Sequence, residues 1–209
     1  MVLLLTTLAH AGPAGALGVD AGVSTADRTL ALNGRLRFEK GWQLGFRGFG
    51  AQVTEGFVDG FAVDGTRLGG TVELTVPLVR LETVQVDIEV DAGIQQLQPE
   101  ADSRIDDNGV SVIADLSPMV TLPLGGTGAL RVGWKNVFHQ QVAPSSALDA
   151  QGALIRAEGV LALNEDLQLA IGGATGGIFG FNGDGGKYLA GAHAAFRWVP
   201  GMARTWKNF

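Results

Sequence analysis

Acidic and basic side chains recurring at every second position are the groups in this sequence with chemistry to offer. Glu73, Asp87, Glu89, Asp91 and Asp115 share one phase of three successive segments. Arg35, Arg37, Arg47, Arg131, Lys135, Arg156 and Arg197 share the matching phase of the segments around them, and Asp20, Glu39 and Glu158 fall in it too. Gathered on one face, such groups can bridge one another, because buried charges are tolerated only when paired and hydrogen-bonded. Alternatively they stand apart across water, as an acidic wall opposite basic walls, and set up a transverse field that orients dipolar solutes and discriminates among ions.

Other candidate chemistry is weaker. His193 lies in the inward phase of the last alternating segment, and His139 is expected in or near a long loop, close in sequence to Ser145, Ser146 and Asp149. A base beside a hydroxyl is the raw material of acyl or peptide-bond hydrolysis, but no constellation fixes a nucleophile, so no catalytic residue is assigned. Asp102–Gly109 and Asn182–Gly186 supply oxygen ligands at tight turns. Neither has the spacing of a calcium loop, and Asn-Gly and Asp-Gly form turns in any β protein. No metal and no cofactor is expected.

The elements that position these groups follow from alternation with period two, the signature of a strand with two unlike faces. Val84, Val86, Ile88, Val90, Ala92 and Ile94 alternate with Gln85, Asp87, Glu89 and Asp91. Val72, Leu74, Val76 and Leu78 alternate with Thr71, Glu73 and Thr75, and Tyr188 to Trp198 alternate about His193 and Arg197. Extended along the chain, the pattern predicts ten strands at about 15–24, 28–39, 42–53, 69–80, 83–95, 109–122, 128–138, 151–163, 167–177 and 187–198, with eight or twelve as alternatives. Most exceed the five or six residues usual in soluble domains and match the nine to eleven or so that a tilted strand needs to cross a bilayer. Tight turns near Lys40-Gly41, Leu81-Glu82, Gly125-Gly126 and Asn164–Asp166 alternate with longer connections at 54–68, 96–108, 139–150 and 178–186, an asymmetry that membrane barrels show. The apolar phase carries no charge inside any strand; Lys40, Arg80 and Glu82 lie on it only at strand ends. Phe38, Trp42 and Trp198 at one end, and Phe57, Phe61, Phe138, Phe179, Phe181 and Tyr188 at the other, read as two interfacial girdles, into which mid-strand Trp134 does not fit. Pro118 lies within a strand and is expected at a bulge.

The 209 residues suffice for one sizeable all-β domain. A hydrophobic fraction of 46% beside 17% charged residues and 32 glycines, with no helix-length apolar run, suits a barrel with lipid outside. A net charge of −6 argues against nucleic acid. The absence of cysteine removes disulfides and thiolate chemistry. Residues 1–11, an apolar run ending in Ala9-His10-Ala11, read as a signal peptide, leaving a barrel over 12–200 and a C-terminal tail over 201–209.

The Ala9-His10-Ala11 site, the strand–turn–strand–loop repeat and the terminal Phe209 together resemble the small bacterial outer-membrane β-barrel proteins of Gram-negative bacteria. That resemblance implies a closed antiparallel up-and-down barrel, monomeric by default, with outer-membrane lipid and the barrel-assembly machinery as partners. It further implies a structural or porin-like role, passing small solutes or ions, rather than an enzyme. Loop-mediated binding or adhesion, a lipid A-modifying enzyme or protease, and a soluble secreted ligand-binding barrel are the alternatives. Pro200-Gly201 separates the last strand from the tail, whereas the family's aromatic end closes a strand.

Overall fold

The computed structural model describes residues 14–38, 41–53, 65–99, 109–143, 150–180 and 186–200. The expected signal peptide, the C-terminal tail, Glu39, Lys40, Phe57, Phe61, Ser145, Ser146, Asp149, Phe181 and, of the calcium-like segments, residues 102–108 and 182–185 lie outside the described residues. Ten antiparallel strands close into one up-and-down barrel. They are β1 (Ala14–Ser24), β2 (Asp27–Arg37), β3 (Gln43–Val53), β4 (Gly65–Arg80), β5 (Gln85–Pro99), β6 (Gly109–Pro123), β7 (Gly128–Ala143), β8 (Ala150–Ala162), β9 (Leu167–Gly180) and β10 (Gly186–Trp198). Each strand pairs with its sequence neighbours, and β1 closes on β10 from Leu17–Trp198 to Ser24–Gly191. That seam is shorter than the β9–β10 ladder, which runs from Gly186–Phe179 to Trp198–Leu167.

The polarity of the molecule is inverted relative to a soluble fold. Leu32 and Ile94 are each 63% exposed on the outer face, while Arg131 and Glu158 are 1% exposed inside. Apolar side chains gain nothing by facing water but are at home in hydrocarbon, and a closed barrel leaves no strand edge unpaired there. Outer-face alternation with lipid thus accounts for the pattern read from sequence. Strands β4, β5 and β7 run four or five residues further toward the long-loop end than the alternation indicated. Residues 65–68, 96–99 and 139–143 are therefore wall rather than loop.

Two prolines shape the wall. Pro77 accompanies a bulge, since the β4–β5 register steps between Pro77 and Val79 and leaves Leu78 as the extra residue. The bulge reverses the phase of the strand end. Arg80, expected on the apolar face, is consequently turned into the lumen, where it donates to Gln85 Oε1 at 2.5 Å and meets Asp87 at 2.5 Å. Pro118, by contrast, makes no bulge. The β6–β7 register is the same at Leu116–Asn136 and at Met119–Gly133, with Ser117 and Pro118 skipped between them. Proline has no N–H to give. Beside the gap, on the outer face, Asn136 Nδ2 donates to the Leu116 carbonyl at 3.4 Å and Trp134 Nε1 donates to Asn136 Oδ1 at 2.9 Å. Trp134, the aromatic that fitted neither girdle, is held by this pair of bonds.

The short turns use the expected residues. Gly41 and Gly125 have φ of 83° and 77°, a region that side chains other than glycine seldom enter. Asn164 Oδ1 accepts from the Asp166 and Leu167 N–H groups at 2.8 and 2.9 Å. At the opposite end, Ser24 Oγ accepts from the Ala26 and Asp27 N–H groups at 3.1 and 3.0 Å and so closes the tight β1–β2 turn.

Candidate functional site: the luminal plug and vestibule

Inward positions of all ten strands meet in the lumen, and the half toward the short turns is solid. Its centre is Arg131, reaching from β7 to Glu89 on β5 and, at 3.3 Å, to Glu158 on β8. Glu158 is a hub. It also receives Arg197 at 3.1 Å, His193 at 2.9 Å and Arg156 at 3.7 Å. Arg156 bridges back to Glu89 at 3.1 Å, so two carboxylates and three guanidiniums form one lattice across the barrel. Gln85, Asp87, Thr121 and Gln168 fill the space on the short-turn side of that lattice, each 1% exposed or less. Buried charges in such a space are stable only as a closed set of partners, and here the partners come from four strands, β5, β7, β8 and β10.

Toward the long loops the lumen opens into a cavity of about 370 Å³. Arg35 meets Glu73 at 2.6 Å and Lys135 meets Asp115 at 2.7 Å on its wall. Near the mouth Arg67 pairs with Asp27, and the guanidiniums of Arg47 and Arg67 each lie 5.8 Å from the Phe49 ring centre, within cation–π range.

The residues singled out from sequence thus divide four ways. Arg131, Arg156, Arg197 and Glu89 build the plug. Arg35, Glu73, Lys135 and Asp115 are paired on the vestibule wall, and Asp87 lies on the short-turn side under Arg80. Arg37 sits at the short-turn end of β2, opposite Gln43. Asp91 and Arg47 line the cavity without an ion pair to any described residue. His139 is corrected outright: it is in β7 rather than a loop, buried, with its Nε2 2.8 Å from Gln95 Nε2. The hub role of Glu158 and the inward Arg80 were not visible in the sequence. Glu158 carries the same alternation as its neighbours and nothing more, and Arg80 was hidden by the bulge.

Several solved structures align with the chain. The chain aligns with the NanC porin at 11% identity over 87% of its length and 98% of the porin's, with a TM-score of 0.48. It aligns with the KdgM porin at 7% identity over 88% and 98% of the two chains, with a TM-score of 0.45. The outer-membrane protease OmpT from Escherichia coli aligns at 7% identity over 90% and 96%, with a TM-score of 0.43. These are bacterial outer-membrane β-barrels. No protein-family model matches the chain, and no curated protein does.

What the lumen can do follows from its two halves. The plug denies free diffusion, since an ion crossing it must displace a guanidinium from two carboxylates in a low-dielectric setting. The vestibule presents both signs of charge on its described wall.

Proposed function

We propose that this protein is an exported outer-membrane β-barrel that works as a gated pore for small solutes or ions. Solutes enter the vestibule from the long-loop side, and passage requires the Arg131 lattice to rearrange. The observation that carries this reading is the uneven filling of the lumen: packed solid in one half, open to about 370 Å³ in the other. A barrel serving only as a structural element has no use for an unfilled half in which Asp20, Arg47 and Asp91 stand without an ion pair to a described residue.

Conductance in planar bilayers tests it. Wild-type protein, shown to be folded by its heat-modifiable gel migration, is expected to give small or rare openings. Arg131→Gln takes the central guanidinium out while leaving Glu89 with Arg156 and Glu158 with Arg197, and is expected to raise conductance several-fold. Should that variant not fold, Glu89→Gln, which leaves Arg131 and Arg156 on Glu158, serves in its place. Folded variants that conduct no better than wild type, or a wild type that is already open, would sink the gate.

A further inference from the structure

The vestibule is divided into unlike halves. Strands β6 to β10 turn Ile113, Val137, Leu154, Ile178 and Leu189 into it, beside Asp115, Lys135, His139, Arg156, His193 and Arg197, each of which already has a partner. Strands β1 to β5 present Asp20, Asp27, Arg47, Arg67 and Asp91 together with Phe49. An aliphatic arc across half a water-filled lumen leaves apolar area wet, at a cost that a partner with an apolar body removes. The cavity's volume falls in the lower part of the range of small-molecule sites, which are mostly apolar walls with a few placed polar groups.

The charged half identifies the other end of that partner. Among the described residues, Arg47 is the one cavity-lining arginine or lysine without a carboxylate partner, and it is held against Phe49. Asp20 and Asp91 line the same cavity and make no hydrogen bond or ion pair to a described residue. Asp91 stands in register between Glu73 and Asp115, whose own charges are taken by Arg35 and Lys135. Like charges on directly opposed strand positions repel, so an added cation at Asp91 relieves a repulsion that the protein leaves standing. Free charge of both signs therefore faces an apolar arc.

We propose that the vestibule takes small zwitterionic amphiphiles, of the size and kind of an apolar amino acid. The ammonium sits on Asp91, the carboxylate on Arg47 and the apolar body against the β6–β10 arc. The assignment rests on the vestibule reading above and names what that vestibule selects.

Isothermal titration of the folded protein in detergent micelles, with empty micelles as blank, tests it using four probes. Phenylalanine has all three features, glycine lacks the apolar body, hexanoate lacks the ammonium and hexylammonium lacks the carboxylate. Phenylalanine is expected to bind at least tenfold more tightly than each of the others, since one charged hydrogen-bonded contact is worth roughly that factor. Asp91→Asn should bring phenylalanine down to the level of hexanoate, and Arg47→Gln to that of hexylammonium. Glycine, hexanoate or hexylammonium binding within tenfold of phenylalanine, no binding by phenylalanine, or variants that leave the ranking untouched would overturn the proposal. The gate stands or falls separately on conductance of the Arg131 variant, which this titration does not read.

Discussion

Removing the hub carboxylate is the sharpest test of the plug. Glu158→Gln keeps the shape of the side chain and deletes a charge that Arg131, Arg156, Arg197 and His193 all approach within 3.7 Å. Breaking a buried ion pair by removing one partner costs about 3–5 kcal/mol, because the other is left desolvated and unpaired. The loss here is unequal among the partners. Arg131 and Arg156 fall back on Glu89, but Arg197 has no other carboxylate among the described residues, so most of the cost arises there. Glu89→Gln strands neither of its arginines, since both keep Glu158. The expected order is a loss of about 3 kcal/mol or more for Glu158→Gln and about 1–2 kcal/mol for Glu89→Gln. Urea unfolding in lipid vesicles followed by tryptophan fluorescence reads both. Adding Arg197→Met to Glu158→Gln should recover a good part of the loss, as a double-mutant cycle would show. Equal losses for the two glutamates, or no recovery in the double variant, would refute the assignment of Glu158 as the hub.

Other expectations follow from the wall. Deleting Leu78 removes the β4 bulge and turns Arg80 outward, which strands Asp87. The unfolding midpoint should fall as far as it does for Arg80→Met, and an unchanged midpoint would show that the bulge does not place Arg80. Asn136→Ala exposes the Leu116 carbonyl and the Trp134 indole N–H to hydrocarbon at the Pro118 gap, for a loss of about 1 kcal/mol. Urea unfolding reads it, and an unchanged midpoint would show that Asn136 does not hold this part of the wall. An alanine Cβ at Gly133 would meet Met119 Sδ at 2.2 Å and the Pro118 carbonyl at 2.4 Å, so Gly133→Ala is expected to cost about 1–3 kcal/mol through overpacking. Met119→Ala should relieve it in part.

How much of this was legible before the structure depends on distance along the chain. Alternation is a local property, so all ten strands and nearly every inward residue could be read from runs such as Val84 to Ile94. Phase fails where a bulge adds a residue, which is why Arg80 was placed outside, and strand ends fail where alternation persists into a taller wall, which is why His139 was placed in a loop. Pro118 misled for a different reason: a strand can carry a missing N–H by bulging or by skipping the pairing while keeping register, and the proline alone does not say which. The plug itself was out of reach. Arg131 meets Glu89 from 42 residues away, through a register that accumulates strand by strand, so residue types announce that charges face inward but not which ones touch. The aliphatic arc was overlooked because Ile113, Val137, Leu154, Ile178 and Leu189 read singly as lapses in a polar face. Only closure sets them side by side.

The β1–β10 seam has a mechanical consequence. A cylinder pulled apart fails where the fewest backbone hydrogen bonds hold it, and here that is the one joint not also secured by a connecting turn. Under lateral tension in a membrane, or in the teeth of a denaturant, this barrel should part like a zipper along Leu17–Ser24. The other nine joints would remain as a curled sheet, and a disulfide across Asp20 and Ala195 would turn a hinge into a hoop.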